Sequence, residues 1–240
     1  MAITTAPDRS RHSAHHGQPI LIVVLIAALA VVTIGIALLV HGGSSNSGAQ
    51  GSGVAVTQTR TVAGFSRLDL AGSNNVTVIV GGPQSVVVHA DSNLINRVTT
   101  GVAAGTLVIG DTGSFTARSP MSVDVRVPSL TALTLSGDGQ ISVTGIDTSQ
   151  LTVTVSGSGL LSAAGTVTRL DATLSGDGQA QLSLLAARDV HAVVTGSGLI
   201  QVTATSSLDA AVPGTGAIIY TGNPSQVSTS VTGTGTVTRG

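Results

Sequence analysis

Three side chains able to bind a metal or transfer protons recur at one position of a repeated sequence. Asp171, His191 and Asp209 each lie five residues before a Gly-X-Gly triplet, so stacked repeats would align them as an Asp-His-Asp row. Carboxylate and imidazole groups on neighbouring strands can coordinate a metal ion or act as acid and base. The same spacing fits an outward, solvated row in which His191 separates two like charges, and we favour this second interpretation.

A second set of carboxylates lies at the centres of two triplets. Asp138 and Asp177 form Gly-Asp-Gly sequences similar to those of calcium-binding nonapeptide repeats, but the period here is about twenty residues and Ser158 stands at the equivalent position between them. Glycoside cleavage needs two carboxylates that flank a groove. Since Asp residues could supply them, a carbohydrate-active lyase or hydrolase with an Asp-based site is the alternative function. No single residue meets the requirements of a catalytic, cofactor-binding or metal-binding site, so the sequence assigns none.

The triplets themselves define the architecture. They recur every 18 to 20 residues, each after a Ser, Thr or Pro and each followed by apolar-polar alternation, at Gly137, Gly157, Gly176, Gly196, Gly214 and Gly233. Repeats of this length predict a solenoid, in which each repeat buries its apolar face only by stacking on its neighbours. We interpret the glycines as corner residues that need positive φ. They are not a phosphate-binding loop, because neither a helix nor a Lys follows them.

Alternation on both sides of each triplet predicts which side chains point inward. The second residue before each triplet is expected in the core, as are the fourth residue before it and the second residue after it. The third residue before each triplet, Thr134 in the first repeat, is expected to point outward. The predicted inward positions are Leu135, Val155, Leu174, Val194, Val212 and Val231; Leu133, Val153, Ala172, Ala192, Ala210 and Thr229; and Ile141, Leu161, Ala180, Ile200, Ile218 and Val237.

Composition excludes several classes of function. The chain has 240 residues, a formal net charge of -1, no Cys and only 1% aromatic residues. Its ten basic residues are all Arg and are scattered, so nucleic-acid binding through clustered charge is not expected. The absence of Cys excludes disulfides and thiol catalysis. Phe65, Phe115 and Tyr220 are too few to form a sugar-stacking platform, and we expect a cap to bury Phe65.

An apolar segment near the N terminus predicts a membrane anchor. Residues 20–40 carry no charge and would span about 31 Å as a helix, enough to cross the hydrocarbon core of a bilayer. Arg9 and Arg11 precede the segment, so residues 1–19 are expected in the cytoplasm and the rest of the chain outside. His12, His15 and His16 in this tail are interpreted as solvated sequence. The alternative is a signal peptide cleaved after Ala49.

The region between the span and the repeats is predicted to contain a tether and a cap. Residues 41–53 are rich in Gly and Ser and are expected to form a flexible linker. Residues 54–130 are predicted to cap the repeats of residues 131–240. Within this cap we expect a hairpin around residues 81–84, a helical turn over residues 93–98 capped by Asp91 or Ser92, and Pro128 at a strand end.

The order of these elements resembles a known bacterial family. The sequences FSRLDLAGSNNVTVIVGG, VVVHADSNLINRV and GTLVIGD, followed by tandem LSGDGQISV and VSGSGLLSA units, resemble the head GIN domain family over residues 58–240. The resemblance implies a right-handed parallel β-helix displayed at the cell envelope and an adhesin-like role, and it transfers no catalytic residue. We therefore expect a non-catalytic, membrane-anchored interaction module without a cofactor. Its expected partners are an extracellular protein or glycan and, weakly, a second copy through the C-terminal end of the solenoid.

Overall fold

Stacked parallel strands joined at glycine corners form the part of the chain that the structure describes. The computed structural model describes residues 48–240, which are all-β apart from one 3₁₀ turn at Ile95–Arg97. The strands are β1 (Ala49–Gln50), β2 (Ala55–Arg60), β3 (Arg67–Leu70), β4 (Asn75–Val80), β5 (Ser85–Asp91), β6 (Val98–Ala103), β7 (Thr106–Asp111), β8 (Phe115–Thr116), β9 (Ser122–Val127), β10 (Ala132–Leu135), β11 (Gln140–Val155), β12 (Leu160–Leu174), β13 (Gln179–Val194), β14 (Leu199–Val212), β15 (Ala217–Thr221), β16 (Gln226–Val231) and β17 (Thr236–Arg239).

The structure does not describe the predicted membrane span or the tail before it. Residues 1–19 and 20–40 lie outside the described residues. Within residues 48–240, no helix is both long enough and apolar enough to cross a bilayer.

Each repeat contributes one strand segment before its glycine corner and one after it. We call one repeat a rung, the outward surface of the segments before the corners the pre-corner face, and that of the segments after the corners the post-corner face. On the pre-corner side the strands pair in the order β16–β14–β13–β12–β11–β10–β3–β7–β6, and on the post-corner side in the order β17–β15–β14–β13–β12–β11–β4–β9–β5–β2. Strands β11 to β14 serve both sides because each runs from one corner to the next. The sequence prediction of a parallel solenoid is confirmed.

The interior follows the predicted alternation in every rung but the last. Leu135, Val155 and Leu174 are fully buried, and so are Ile141, Leu161 and Ile200 at the position after the corner. In the rung of β16 and β17 the equivalent Thr229 and Val231 are exposed and Val237 is half-buried, since no described strand stacks on that side. Stacking on both sides is therefore what buries an inward side chain.

The corner glycines are required for a different reason from the one predicted. Glycines with positive φ occur elsewhere, as at Gly145 (79°) and Gly222 (93°), whereas none of the triplet glycines has positive φ. A Cβ on Gly157 would instead overlap the carbonyl oxygen of Gly137 in the rung before, and a Cβ on Gly178 would lie 2.6 Å from the oxygen of Gly159. Backbone hydrogen bonds such as Gly178 N to Gly157 O, 3.1 Å, hold successive corners together. Close approach of backbones, rather than positive φ, selects glycine here.

One further corner was not predicted from the sequence, because Asn74 occupies the position of its second glycine. Residues 71–74, Ala-Gly-Ser-Asn, stack under the Gly137 corner: the amide of Gly139 donates to Gly72 O (3.2 Å) and that of Gln140 to Asn74 O (3.0 Å). β3 pairs in parallel with β10, and β4 with β11. The signal was present, since LDLAGSNNVTV has the same frame as LTLSGDGQISV. The parallel stack therefore begins before residue 131, within the segment predicted to be a cap.

The predicted hairpin around residues 81–84 is wrong in its pairing. Gly81 and Gly82 do turn the chain with positive φ, but β4 and β5 are not neighbours because β9 lies between them. β9 pairs in parallel with β4 and antiparallel with β5, and its Val123, Val125 and Val127 are buried. Burial of this later strand outweighs the local turn. Pro128 follows β9 directly, at the strand end as predicted.

The cap consists of the antiparallel strands at the end of the two ladders. β2 pairs antiparallel with β5 on one side, and β6 pairs antiparallel with β7 on the other. The 3₁₀ turn Ile95–Arg97 lies within the predicted helical segment, but no side chain caps it, contrary to the expected role of Asp91 or Ser92. Phe65 is buried as expected, 7% exposed.

The end of the predicted linker is bound to the domain. β1 pairs in parallel with β8, so Ala49 lies opposite Phe115. The amide of Ser52 donates to Asn93 Oδ1 (2.8 Å), and Asn93 Nδ2 donates to Gln50 O (2.7 Å). We call residues 48–53 the strap. A flexible linker over all of residues 41–53 is therefore wrong for the strap, because side chains distant in sequence supply its hydrogen-bond partners.

Candidate functional site

The predicted Asp-His-Asp row exists on the pre-corner face. Asp171 pairs with His191 across β12 and β13, and His191 pairs with Asp209 across β13 and β14. The Nδ1 atom of His191 lies 3.1 Å from Oδ2 of Asp209. This contact involves Nδ1 of His191 and not Nε2. The side chains of His191 and Asp209 are 44% and 61% exposed, so the row is solvated.

Asp171 is occupied by a different partner. Arg169 donates to both of its carboxylate oxygens, at 3.1 Å from Nε and 3.0 Å from Nη2, and Gln150 Nε2 lies 3.3 Å from Oδ2. The hydrogen bond and charge of Asp171 raise the pKa of Arg169. Exposed pairs of this kind contribute little to stability. The row is thus divided into an Arg-Asp pair and a His-Asp pair, which agrees with the solvated interpretation.

The corner centres form a second row, and it borders a groove. The amide of Ser158 donates to Oδ1 of Asp138 (3.3 Å), and Thr215 donates to Ser197 Oγ (3.2 Å), so the centres stack as predicted. Asp138, Ser158 and Asp177 line one edge of a groove of about 360 Å³. We call it the corner groove. Asp138 and Asp177 lie two rungs apart, about 10 Å at the spacing of stacked strands.

A second groove lies on the post-corner face, and the repeat pattern did not predict it. It has a volume of about 220 Å³ and is lined by Ser142, Ser162, Gln181, Gln201 and Leu184 among others. We call it the strand groove. Leu184 is 79% exposed, because the register between β13 and β14 shifts from Leu182 to Ala186 and places it on a bulge. Only the extra residues in QLSLLAAR signal this bulge in the sequence.

A hydroxyl-imidazole-carboxylate series also escaped the sequence analysis. Thr57 Oγ1 lies 3.0 Å from Nδ1 of His89, and Nε2 of His89 lies 3.1 Å from Oδ2 of Asp124. The three residues lie on β2, β5 and β9, which adjoin only after β9 inserts beside β5. Such a series can activate a nucleophile when an oxyanion site accompanies it. Neither groove includes these residues, and they link the cap to the parallel stack.

Three carboxylates serve the fold rather than a site. Asp91 is fully buried and accepts hydrogen bonds from the amides of Arg118 (2.8 Å) and Gly53 (2.8 Å). These bonds, that of Arg118 foremost, hold the pKa of Asp91 below its usual range. Asp111 accepts from Ser73 N (2.9 Å) and Asn74 Nδ2 (2.6 Å) and so completes the corner without a second glycine. Burial raises the pKa of Asp69 although Ser136 donates to it.

Metal binding finds no support in the described part of the chain. Within residues 48–240, no three His or Asp side chains lie close enough together to hold an ion. His12, His15 and His16 lie outside the described residues. Asp138 and Asp177 are separated by Ser158, so any calcium ion between them would lack a third carboxylate ligand from this row.

Comparison with known proteins finds a matching family and similar solved structures. Residues 64–224 match the family described as "Putative auto-transporter adhesin, head GIN domain". A crystal structure of a putative adhesin from Bacteroides fragilis is similar, with a TM-score of 0.68 and 23% identity over 80% of this chain and 100% of that one. A putative lipid-binding protein from Parabacteroides distasonis is also similar, with a TM-score of 0.51 and 20% identity over 80% of this chain and 98% of that one. No curated protein matches the chain.

Proposed function

Because this chain belongs to the head GIN domain family, we propose that it is a surface-displayed, non-catalytic binding module that holds its ligand against the outside of the solenoid. The observation that carries the proposal is the corner groove, about 360 Å³, which is open to solvent and crosses consecutive rungs from Ser73 to Gln179. Long shallow grooves of this kind suit an extended ligand. The adhesin description of the family supports the same role.

Display at the cell surface depends on the segment before the strap. We propose that residues 20–40 span the membrane as a signal anchor, with residues 1–19 in the cytoplasm and the solenoid outside the cell. The support is the uncharged length of the segment and the position of Arg9 and Arg11 before it. The strap supports this role, because the alternative cleavage point after Ala49 lies inside β1, where Ala49 and Gln50 both pair with β8.

A binding role fits the carboxylates better than catalysis does. A glycosidase uses one carboxyl group on each side of the scissile bond. Asp138 and Asp177 instead belong to one row, so both would approach a ligand in the corner groove from the same edge. Asp171 is held by Arg169, and His191 and Asp209 are exposed. The alternative, a carbohydrate-active enzyme that uses Asp138 or Asp177, would release reducing sugar from a polysaccharide and lose this activity in Asp138→Asn or in Asp177→Asn.

The test of the proposed function uses cells of a non-adherent bacterium that express the full chain. We expect external protease to cleave residues beyond 53 in intact cells, and we expect the cells to adhere to polysaccharide-coated or protein-coated surfaces more than cells without the chain. Protection of the domain until lysis, or unchanged adherence on all surfaces, would contradict the proposal. Release of a soluble form that begins near Gln50 would show that cleavage after Ala49 replaces anchoring.

A further inference from the structure

The two faces of the solenoid differ in charge. Over the five positions that follow each corner, from β4 to β15, the outward residues of the post-corner face are uncharged: Asn75, Thr77, Ile79, Gln140, Ser142, Thr144, Leu160, Ser162, Ala164, Gln179, Gln181, Ser183, Leu199, Gln201, Thr203, Ala217, Ile219 and Thr221. The pre-corner face over the same rungs carries Arg67, Asp69, Arg169, Asp171, Asp189, His191 and Asp209. A ligand of this part of the post-corner face therefore meets hydrogen-bonding and apolar groups. Charged side chains border it at the corner row, at Asp147 further along β11, and on β9, where Asp124 and Arg126 pair with Thr77 and Ile79.

Both grooves lie along this face and run in the stacking direction, and the corner groove also borders the carboxylates of Asp138 and Asp177. The corner groove includes Asn75, Gln140, Leu160 and Gln179, which occupy one position in four successive rungs. The strand groove includes Ser142, Ser162, Gln181 and Gln201, which occupy a second position in successive rungs. Stacked strands repeat every 4.8 Å or so, and four rungs therefore cover about 14 Å. Each groove offers the same kind of contact again at every rung.

The chemistry of these positions selects an uncharged polymer rich in hydroxyl groups. Side-chain amides and hydroxyls both donate and accept hydrogen bonds, as sugar hydroxyls do. Leu160 and the exposed Leu184 offer apolar contact for the carbon-bearing face of a sugar ring. An anionic polymer in the corner groove would lie beside Asp138 and Asp177 and would be repelled.

We infer that the post-corner face binds a neutral polysaccharide whose chain runs along the stacking direction, with successive sugars against successive rungs. This inference rests on the proposed function and names the ligand class and the surface. Extended sugar chains repeat at a distance close to the rung spacing, so a straight chain keeps its register with the ladder over several rungs. The row of side chains in the corner groove contacts one edge of the polysaccharide, and the row in the strand groove contacts its other edge.

The experiment measures binding by the full chain in a detergent without a sugar headgroup. Calorimetric titrations use a fixed set of probes, cellohexaose, chitohexaose, maltohexaose and mannohexaose, with hexagalacturonate as the charged counterpart. We expect a neutral hexasaccharide to bind and its affinity to fall when it is shortened to a disaccharide, because fewer rungs are then contacted. The double variant Gln181→Ala with Gln201→Ala is expected to weaken this binding about tenfold, equivalent to about 1.4 kcal/mol.

A matched control lies on the opposite side of the same solenoid. Thr154→Ala with Thr173→Ala removes two outward polar groups from neighbouring rungs of the pre-corner face and should leave the affinity unchanged. Thermal unfolding shows whether each variant is folded. The inference is overturned if no neutral hexasaccharide binds at about 1 mM, or if the threonine pair rather than the glutamine pair weakens binding. Adherence of cells with binding of hexagalacturonate alone would refute the inference and leave the proposed function standing.

Discussion

At the scale of single residues, the corner glycines carry the tightest constraint on the sequence. A Cβ at Gly157 would overlap the backbone of Gly137, which no rotamer change can relieve. We expect Gly157→Ala to lower the free energy of unfolding by about 2–3 kcal/mol, as overpacking does. The control is Gly64→Ala, where a Cβ meets nothing within 4 Å. Its effect should stay below about 1 kcal/mol in denaturant titrations. Equal effects of the two changes would show that the corners do not stack closely.

The centres of the corners give a second prediction, based on charge. Ser158 stacks between Asp138 and Asp177, and its amide donates to Asp138. Ser158→Asp would place three carboxylates in one row at about 4.8 Å spacing, where each neighbouring pair in water repels by roughly 0.9 kcal/mol before screening. We expect a loss of stability on the order of 1 kcal/mol at low salt with a chelator present, and partial recovery when salt is added.

A matched change separates repulsion from the simple loss of a serine. Ser197 stacks on Asp177 on one side and on the uncharged Thr215 on the other. Ser197→Asp should therefore show about half the salt-dependent loss, since it adds one repelling neighbour instead of two. Thermal unfolding at low and high salt measures both variants. If Ser158→Asp leaves the unfolding midpoint unchanged at low salt, the stacking of the centres is refuted.

At the scale of elements, the strap depends on one buried carboxylate. Asp91 accepts from Gly53 in the strap and from Arg118 and Ser119 in the loop after β8. Its pKa is lowered by these bonds, so its contribution to stability is present above the usual pKa of an Asp and is lost as the pH falls through the lower folded value. In Asp91→Asn an amide group must face backbone N–H donors. We expect a lower melting temperature than the wild type at pH 7.

The pH dependence tests the cause of that loss. The difference in melting temperature between wild type and Asp91→Asn should shrink as the pH falls below about 4, because the carboxyl of Asp91 then protonates in the unfolded chain and, at still lower pH, in the folded protein. At a given pH, hydrogen exchange at the amide of Gly53 should be faster in Asp91→Asn than in the wild type, because that amide donates to Asp91. A difference that is constant from pH 7 to pH 3 would mean that charge at Asp91 does not hold the strap. Asp124→Asn, on an exposed carboxyl outside this cluster, is the control.

Strands were predictable from the sequence where it repeats. They were not predictable where contacts between segments distant in sequence determine the pairing. The triplet spacing and the alternation around Leu135 and Ile141 predicted the rungs, the core positions and the Asp171–His191–Asp209 alignment. The place of β9 between β4 and β5 was not predictable, because a local turn at Gly81 competes with burial of Val123, Val125 and Val127 far along the chain. The strap was missed for the same reason, since Gly and Ser suggest flexibility until Asp91 and Asn93 provide partners.

The grooves were beyond the sequence for another reason. The corner groove depends on the stacked register of Ser73, Asp138 and Gln179, which requires the corner at Gly72 to be recognised. The strand groove depends on the bulge that exposes Leu184. Period and alternation predict which side chains point outward, but the depth between them comes from irregularities in the repeat. The candidate surface could therefore be assigned to a face only with the structure.

At the scale of the whole molecule, the rung of β16 and β17 exposes side chains that other rungs bury. Val227 and Val231 are 47% and 44% exposed. The residues on β14 that pair with them, Leu208 and Val212, are 2% and 0% exposed. The free edge of β16 also presents backbone groups that can pair with another strand. Weak association between two copies through this end, predicted from the sequence, stays a prediction, and these exposures supply its physical basis.

Sedimentation of the full chain in a density-matched detergent tests this association. The sedimentation coefficient should rise with protein concentration as pairs form, with a dissociation constant on the order of 0.1–1 mM, because only a few apolar side chains are buried and no charge pair reinforces them. Val227→Lys with Val231→Lys should abolish the rise, since pairing would then bury lysine side chains against one another. Thr173→Lys, an outward position far from β16, should leave it unchanged. A coefficient that does not change with concentration, or a rise that persists in the valine variant, would show that this end of the solenoid does not pair with a second copy.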